Sequence, residues 1–404
     1  MIKCGWLDNR FNGTHFPSDK FPVTNTIFDL VHIKEKEELK DCEVFFVHKF
    51  DKQEIPKFNE YINYAKSIGV PIVYFDLLFP YIDEYDDDYD FVVTETYHKD
   101  KKDNVIAIPI LGLHNFKSLT GNVLPNTAQV LSELYKPELI EREYDIFLRV
   151  GKLHGKSIRQ RTLYEYLSLP FENAGHIVTL PEVSLERREK EKTELFNDIN
   201  EINKFEINFA DFKEGEGALY KGNPNTWFHD NCNYYNKHGV YSIFSYAEIM
   251  FESVTTFDTY VRENEEIISF TEKHFQLFAT LTIPLIIDSE PSVNYLKKWG
   301  FRFFEAELKP LTTDKRFITE ENKKIKGWLE KLVNYNFKNI WHEDLNPHQD
   351  SILISNFNKL HDIYNRGLHI TLTEYKILEA LNHPYLEKFQ WDTNVRYLKQ
   401  NDLL

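Results

Sequence analysis

The sequence predicts an α/β fold of two successive Rossmann-like lobes followed by a helical C-terminal tail, and three observations carry this expectation. Across residues 1–140, short apolar runs rich in β-branched and aromatic residues alternate with stretches of helical spacing, as in βαβ units around a parallel sheet. A second alternation of the same kind begins at Tyr144, after the polar, proline-bearing segment Lys136-Pro137-Glu138-Leu139-Ile140-Glu141. From 318 onward the strand patterns stop and helical ones remain. The expected organisation is an N-terminal lobe over 1–140, a second lobe over 141–335 and a helical tail over 336–404.

In the first lobe the strand candidates are 1–7, 43–48, 71–76, 90–95 and 104–108. Between the second and third, Phe58, Ile62 and Ala65 recur at helical spacing and Gly69 stands where a C-cap glycine belongs. Cys42–His48, helix 56–68 and Pro71–Asp76 therefore form the clearest βαβ unit. Open parallel sheets bind ligands beyond the carboxyl ends of their strands, which singles out His48 and Asp76. The second lobe reads as strand 144–150, helix 158–168, strand 175–180, a long charged helix over 182–205, strand 241–246, helix 271–281 and strand 283–288. Helices follow over 318–337 and 356–404, separated by Asn346-Pro347-His348, and there is no internal repeat. Two-lobed glycosyltransferases, periplasmic-type binding proteins and some kinases all share this outline, so motifs must choose among them.

Composition narrows the class. In 404 residues, 42% hydrophobic and 15% aromatic content supplies packed cores and argues against a disordered chain. Forty-eight Lys and Arg against 64 Asp and Glu give a net charge of −16, which counts against a protein that coats nucleic acid with its whole surface. A local basic cleft is still compatible with that sum. Asp83–Asp90 is an acidic block, whereas Lys152–Arg161 is basic, and an anionic ligand is expected near the second. Cys4, Cys42 and Cys232 show no metal-site spacing and suit a reducing compartment. No apolar run approaches the ~18–20 residues of a membrane span, so a cytoplasmic protein without a membrane partner is expected.

Several motifs are missing. No GxGxxG opens a helix after the first strand, and neither GxxxxGK[ST] nor HExxH occurs. Trp341-His342-Glu343-Asp344 has no second His at helical spacing and reads as a solvated helix end. Asp86-Asp87-Asp88 could be matched to a DxD metal motif, but six carboxylates between Asp83 and Asp90 read as an acidic surface loop, and no metal site is expected.

The densest signal lies between 249 and 301, where Ile249–Ser253, Ile267–Lys273, Ile283–Asp288 and Tyr295–Phe301 read as strand, polar turn opening a helix, buried strand and helix. Thr271-Glu272-Lys273 at a helix start suits a nucleotide sugar. Exposed amides and an ammonium hold a diphosphate, and a carboxylate accepts hydrogen bonds from ribose hydroxyls. An ordinary capped helix with Glu272 in the cap is the alternative. On Phe251, Glu252, Ser253, Phe270, Thr271, Glu272, Lys273, Ile283, Pro284, Tyr295, Leu296, Gly300 and Phe301, the sequence resembles the α-1,3-fucosyltransferases and related phage and marine-virus glycosyltransferases, which have the two-lobed GT-B fold. The resemblance implies that Glu272 holds the donor ribose and Lys273 its diphosphate, with Thr271 and Glu252 also in the donor-binding set. It departs from the fucosyltransferases after Phe251-Glu252, where Ser253-Val254-Thr255-Thr256 replaces their asparagine-rich stretch, so the donor does not carry over.

A second similarity begins at Phe147-Leu148-Arg149-Val150-Gly151 and continues through Arg159-Gln160-Arg161. The spacing from Arg159 to Glu165-Tyr166-Leu167 resembles that of phage DNA β-glucosyltransferases. It implies an arginine on the donor phosphates, a role open to Arg159 or Arg161, with a solvated helix N-terminus as the alternative. In the first lobe, Ile72–Pro80 and Asp103-Asn104-Val105-Ile106 are similar to segments of the same phage enzymes, which implies Asp76 as the general base on the acceptor hydroxyl. Asp76 as a turn or N-cap residue is the ordinary reading, and Glu95 and Asp8 are the reserve candidates.

The resemblances together imply an enzyme transferring a sugar from a nucleoside diphosphate sugar, preferably a UDP-sugar, with no cofactor required and no bound metal. The expected acceptor is a hydroxymethyl pyrimidine in double-stranded phage DNA, extruded from the stack inside the host cytoplasm. A glycan, lipid or protein acceptor and a non-catalytic nucleotide- or sugar-binding protein are the alternatives.

Overall fold

The computed structural model describes residues 1–7, 21–48, 51, 55, 57–77, 89–98, 102–114, 142–151, 157–179, 209–210, 245–251, 267–270, 272–312, 318–346 and 350–404. The chain divides into two compact units, the first comprising Met1–Ser118, Glu265–Phe270 and Ile363–Leu404, the second Leu119–Asn264 and Thr271–Asp362. Each is built on a six-stranded parallel sheet, so the α/β class with two such units and a helical C-terminal region is as expected.

In the first unit, β1 (Ile2–Trp6), β2 (Phe28–His32), β3 (Val44–His48), β4 (Ile72–Asp76), β5 (Phe91–Thr94) and β7 (Val105–Ala107) lie in the order β2-β1-β3-β4-β5-β7. Every neighbouring pair is parallel. All five residues of β3 and of β4 are buried, because a parallel sheet is covered on both faces. Phe45, Val47, Ile72 and Tyr74 pack with Phe58, Ile62 and Ala65 of α1 (Phe58–Ile68) on one face. On the other, Phe21 and Phe46 meet Phe75 at ring-centroid distances of 5.1 Å. Gly69 ends α1 at φ 74°, in the left-handed region that only glycine enters without strain. A short antiparallel ribbon completes the unit: β6 (Thr96–His98) pairs with β12 (Ile267–Ser269).

In the second unit, β8 (Tyr144–Gly151), β9 (Ala174–Thr179), β10 (Phe209–Ala210), β11 (Ser245–Phe251), β13 (Ile283–Asp288) and β14 (Leu311–Thr312) take the order β10-β9-β8-β11-β13-β14, again all parallel. Its helices are α2 (Ser157–Ser168), α3 (Glu272–Ala279), α4 (Glu290–Lys298), α5 (Ile318–Leu332) and α6 (Phe337–Asp344). At the amino-terminal edge the buried Arg142 donates to the Ser245 carbonyl at 2.5 Å, the Thr280 carbonyl at 2.8 Å and Thr282 Oγ1 at 3.1 Å. Its guanidinium lies 4.7 Å from the Trp341 ring, and burial lowers its pKa to about 9. One side chain thereby ties the starts of β11 and β13 to that of β8. After α4, Gly300 at φ 89° turns the chain so that Phe301 stacks on Phe278 at 4.5 Å. The Gly-Phe pair of the sequence similarity thus has a packing reason.

By contacts, α8 (Leu368–Ala380), α9 (Tyr385–Phe389) and α10 (Thr393–Gln400), after α7 (Ile352–Asn365), group with the first unit. The buried Glu374 accepts from Thr24 N at 2.5 Å and Thr24 Oγ1 at 2.6 Å, and His383 meets Glu43 at 3.3 Å. Burial pushes the Glu374 carboxyl up to about 7, above the hydrogen bonds from Thr24 that pull it down. The strand expected at 241–246 runs from Ser245 to Phe251, and the helix expected to reach 337 ends at Leu332, with Asn336 capping α6. His342 and Glu343 are exposed at the end of α6, as expected of a solvated helix end, whereas Trp341 beside them is buried and donates from Nε1 to the Leu281 carbonyl at 2.6 Å, and Asp344 caps α7 by accepting from Ile352 N and Leu353 N. The helix expected over 182–205 and most of the acidic block 83–90 lie outside the described residues.

Candidate donor and acceptor sites

Ligands of open parallel sheets gather where strand order reverses, beyond the carboxyl ends. In the second unit the chain leaves β8 toward β9 and β10 and returns to β11 on the other side of β8, so the reversal lies between β8 and β11. Register pairs Ile249 with Leu148, which brings Phe251 and Gly151 to that edge. Crossover helices run antiparallel to the strands they connect, and the N-termini of α2 and α3 belong to this same edge. Any helix N-terminus brings first-turn amides without an intrahelical acceptor and the positive end of a helix dipole.

On α2, Arg159, Thr162, Leu163 and Tyr166 are buried and share one helical stripe. Arg159 is 2% exposed and lies in the first turn. Arg161 faces the other way: its side chain is 45% exposed, pairs with Glu165 at 2.9 Å and lies 5.2 Å over the Tyr164 ring. Glu165 also meets Lys326 of α5 at 3.5 Å. The two arginines left open by the sequence are thus separated by geometry, one under the helix start and one in a surface ion pair.

Glu272 and Lys273 are the first two residues of α3, with their side chains outside the described set; Thr271 and Glu252 lie outside it altogether. Beneath this helix start is a buried polar network that the sequence did not single out. His274 Nε2 faces Asp288 Oδ2 at 3.2 Å, and Asp288 Oδ1 accepts from Ser289 N at 2.6 Å. Arg149 of β8 pairs with Glu248 of β11 at 2.9 Å and donates from Nη1 to Gln276 Oε1 at 2.9 Å. Opposite charges within the apolar runs Ile146–Val150 and Ala247–Phe251 were the available signal.

In the first unit the reversal lies between β1 and β3, and Asp76 ends β4, the strand beyond β3. His48, Asp51, Asp76, Thr94, Glu95 and Thr96 are all buried along this carboxyl edge. Register pairs His48 with Phe75 and Asp76 with Thr94, so the two strand-ending candidates occupy opposite faces: His48 lies with Phe21, and Asp76 is on the face of Tyr74. Burial and then the Asp76 carboxylate push the Tyr74 phenol well above its ordinary pKa. Asp51 Oδ2 accepts from His48 N at 2.7 Å. The reserve residue Glu95 is buried just past β5, and Asp8 is outside the described residues. Among the described residues no group of three or more His, Cys, Asp or Glu could hold a metal ion, and no helix is long and apolar enough to cross a membrane.

No protein-family model matches the chain, and no curated protein matches it. Among solved structures it is similar to Anabaena HepE in complex with UDP and glucose, at 7% identity over 95% of this chain and 100% of that one, with a TM-score of 0.46. It is also similar to α,α-trehalose 6-phosphate synthase from Burkholderia multivorans, at 10% identity over 86% and 74% of the two chains, with a TM-score of 0.38. A third is an α-glucosyltransferase in complex with UDP and a 13-mer DNA containing a central A:G mismatch, at 10% identity over 90% and 98%, with a TM-score of 0.34.

Proposed function

We propose that this chain is a GT-B glycosyltransferase that moves a sugar from a nucleoside diphosphate sugar, preferably a UDP-sugar, to an acceptor hydroxyl. The observation that carries the reading is the carboxyl edge of the second sheet, where two helices start at one strand reversal, one with a buried arginine in its first turn and one opening on Glu272-Lys273. Helix N-termini, a guanidinium and an ammonium form a cationic set for a diphosphate and stabilise it as a leaving group with no metal required. Arg159 and Lys273 serve the phosphates, Glu272 the ribose, and Thr271 and Glu252 complete the donor set. Arg159 is preferred to Arg161 because it lies in the first turn of α2 on the buried stripe, whereas Arg161 points to the surface. Asp76 takes the proton of the acceptor hydroxyl. Its oxygen then bonds to the anomeric carbon as the bond to the diphosphate breaks, and the configuration inverts.

The acceptor we infer is a hydroxymethyl pyrimidine of double-stranded phage DNA, extruded from the stack, with Lys152–Arg161, Lys99-Asp100-Lys101-Lys102 and Arg187-Arg188 as the basic contacts. The net charge of −16 favours the second reading, a glycan, lipid or protein acceptor. The test is incubation with UDP-glucose, other UDP-hexoses and GDP-hexoses, without metal, on hydroxymethylated and unmodified duplexes. Release of UDP with hexose on the hydroxymethylated strand alone is expected. Release without sugar on DNA is hydrolysis of the donor by water and rejects DNA as the acceptor; no release with DNA moves the test to glycan, lipid and protein acceptors, and no release with any of them rejects transfer.

A further inference from the structure

We propose that Gln276 is a positioning residue for the donor diphosphate, an inference that rests on the donor assignment above. The residues assigned to the donor open α3, and the next turn is held by two buried polar contacts. His274 reaches Asp288 at the end of β13, and Gln276 accepts from Arg149 of β8, itself paired with Glu248 of β11. The helix start is thereby bonded to β13 and β8, and through Arg149 it is linked to β11, the other strand that flanks the reversal.

The rest of the buried surface of α3 is Phe275, Leu277, Phe278 and Ala279. Apolar contact holds a helix against a sheet without fixing its rotation, because it has no direction. A hydrogen bond to a guanidinium does fix it, within the narrow geometry such bonds accept. An apolar side chain of similar volume at 276 would keep the packing and the His274–Asp288 contact but lose the bond that orients the helix against β8. Rotation about the α3 axis displaces the first-turn amides and Lys273, so the amide of Gln276 sets where the phosphate-binding groups point.

The test is calorimetric titration of UDP and GDP into the full-length protein and its variants, alongside thermal melting. Gln276→Met keeps the volume and removes the acceptor for Arg149, and is expected to weaken UDP binding about tenfold. Gln276→Glu keeps Oε1 and is expected to restore binding. Arg149→Lys keeps the charge opposite Glu248 and loses the fork to Gln276; it should match Gln276→Met, and it stands in if that variant does not fold. Thr282→Val, which removes a bond to Arg142 at the opposite edge of the sheet, is expected to lower Tm without moving UDP affinity. Wild-type affinity in Gln276→Met and Arg149→Lys overturns the inference, as does an equal loss in Thr282→Val. A wild-type protein that binds neither UDP nor GDP overturns the donor assignment and this inference with it.

Discussion

Replacing Asp76 by Asn is expected to lower sugar transfer by about 10²–10⁴-fold while UDP affinity stays at the wild-type level. Asn keeps the shape of the side chain and leaves the backbone pairing of residue 76 with Thr94 intact, so β4 should form as before. What it removes is the carboxylate proposed to take the acceptor proton. Asp76 is 3% exposed, at the carboxyl end of its strand, where a substrate hydroxyl would have to displace whatever covers it. The proposed donor set lies in the second unit, so the two readouts are expected to separate. Single-turnover rates beside UDP calorimetry check this, and a variant that keeps more than about a tenth of its turnover moves the base elsewhere, to Glu95 first.

Glu248→Leu is expected to cost about 3–5 kcal/mol of stability, because it strands the Arg149 guanidinium inside the second unit. Glu248 is fully buried, and the side chain of Arg149 is 5% exposed. The desolvation of each charge is offset mainly by the other. Removing both, as Arg149→Met with Glu248→Leu, should recover most of that loss, since an apolar pair of similar size fills the same space. The double variant is expected to be stable and still weak for UDP, as Gln276 then lacks its donor. Urea unfolding of the two singles and the double gives the coupling, and strict additivity would show that the pair is not a unit.

The two sheets were legible because buried parallel strands read as apolar runs: Val44-Phe45-Phe46-Val47 and Ile283-Pro284-Leu285-Ile286-Ile287 announce themselves. Strand β2 did not, since Phe28-Asp29-Leu30-Val31-His32 is an edge strand in which only Phe28 is fully buried. The β6–β12 ribbon could not be read locally either. Its three-residue strands lie far apart in the sequence, and Ile267-Ile268-Ser269 resembles the approach to a helix. Helical period was visible over 356–404, but the Thr24–Glu374 bonds that place those helices in the first unit are non-local. Among site residues, Asp76 and Arg159 stood out because strand ends and helix starts are where such folds do chemistry. His274 and Gln276 acquire a role only once α3 lies over β8 and β13.

The central claim is that the edge formed by α2 and α3 binds a nucleoside diphosphate through Arg159. Calorimetric titration of UDP, without metal, into the wild type and Arg159→Ala tests it most directly. Saturable binding to the wild type, weakened about 10–100-fold by the substitution, is the expected result. Equal affinity in both proteins, or no binding of UDP or GDP to the wild type, would contradict it.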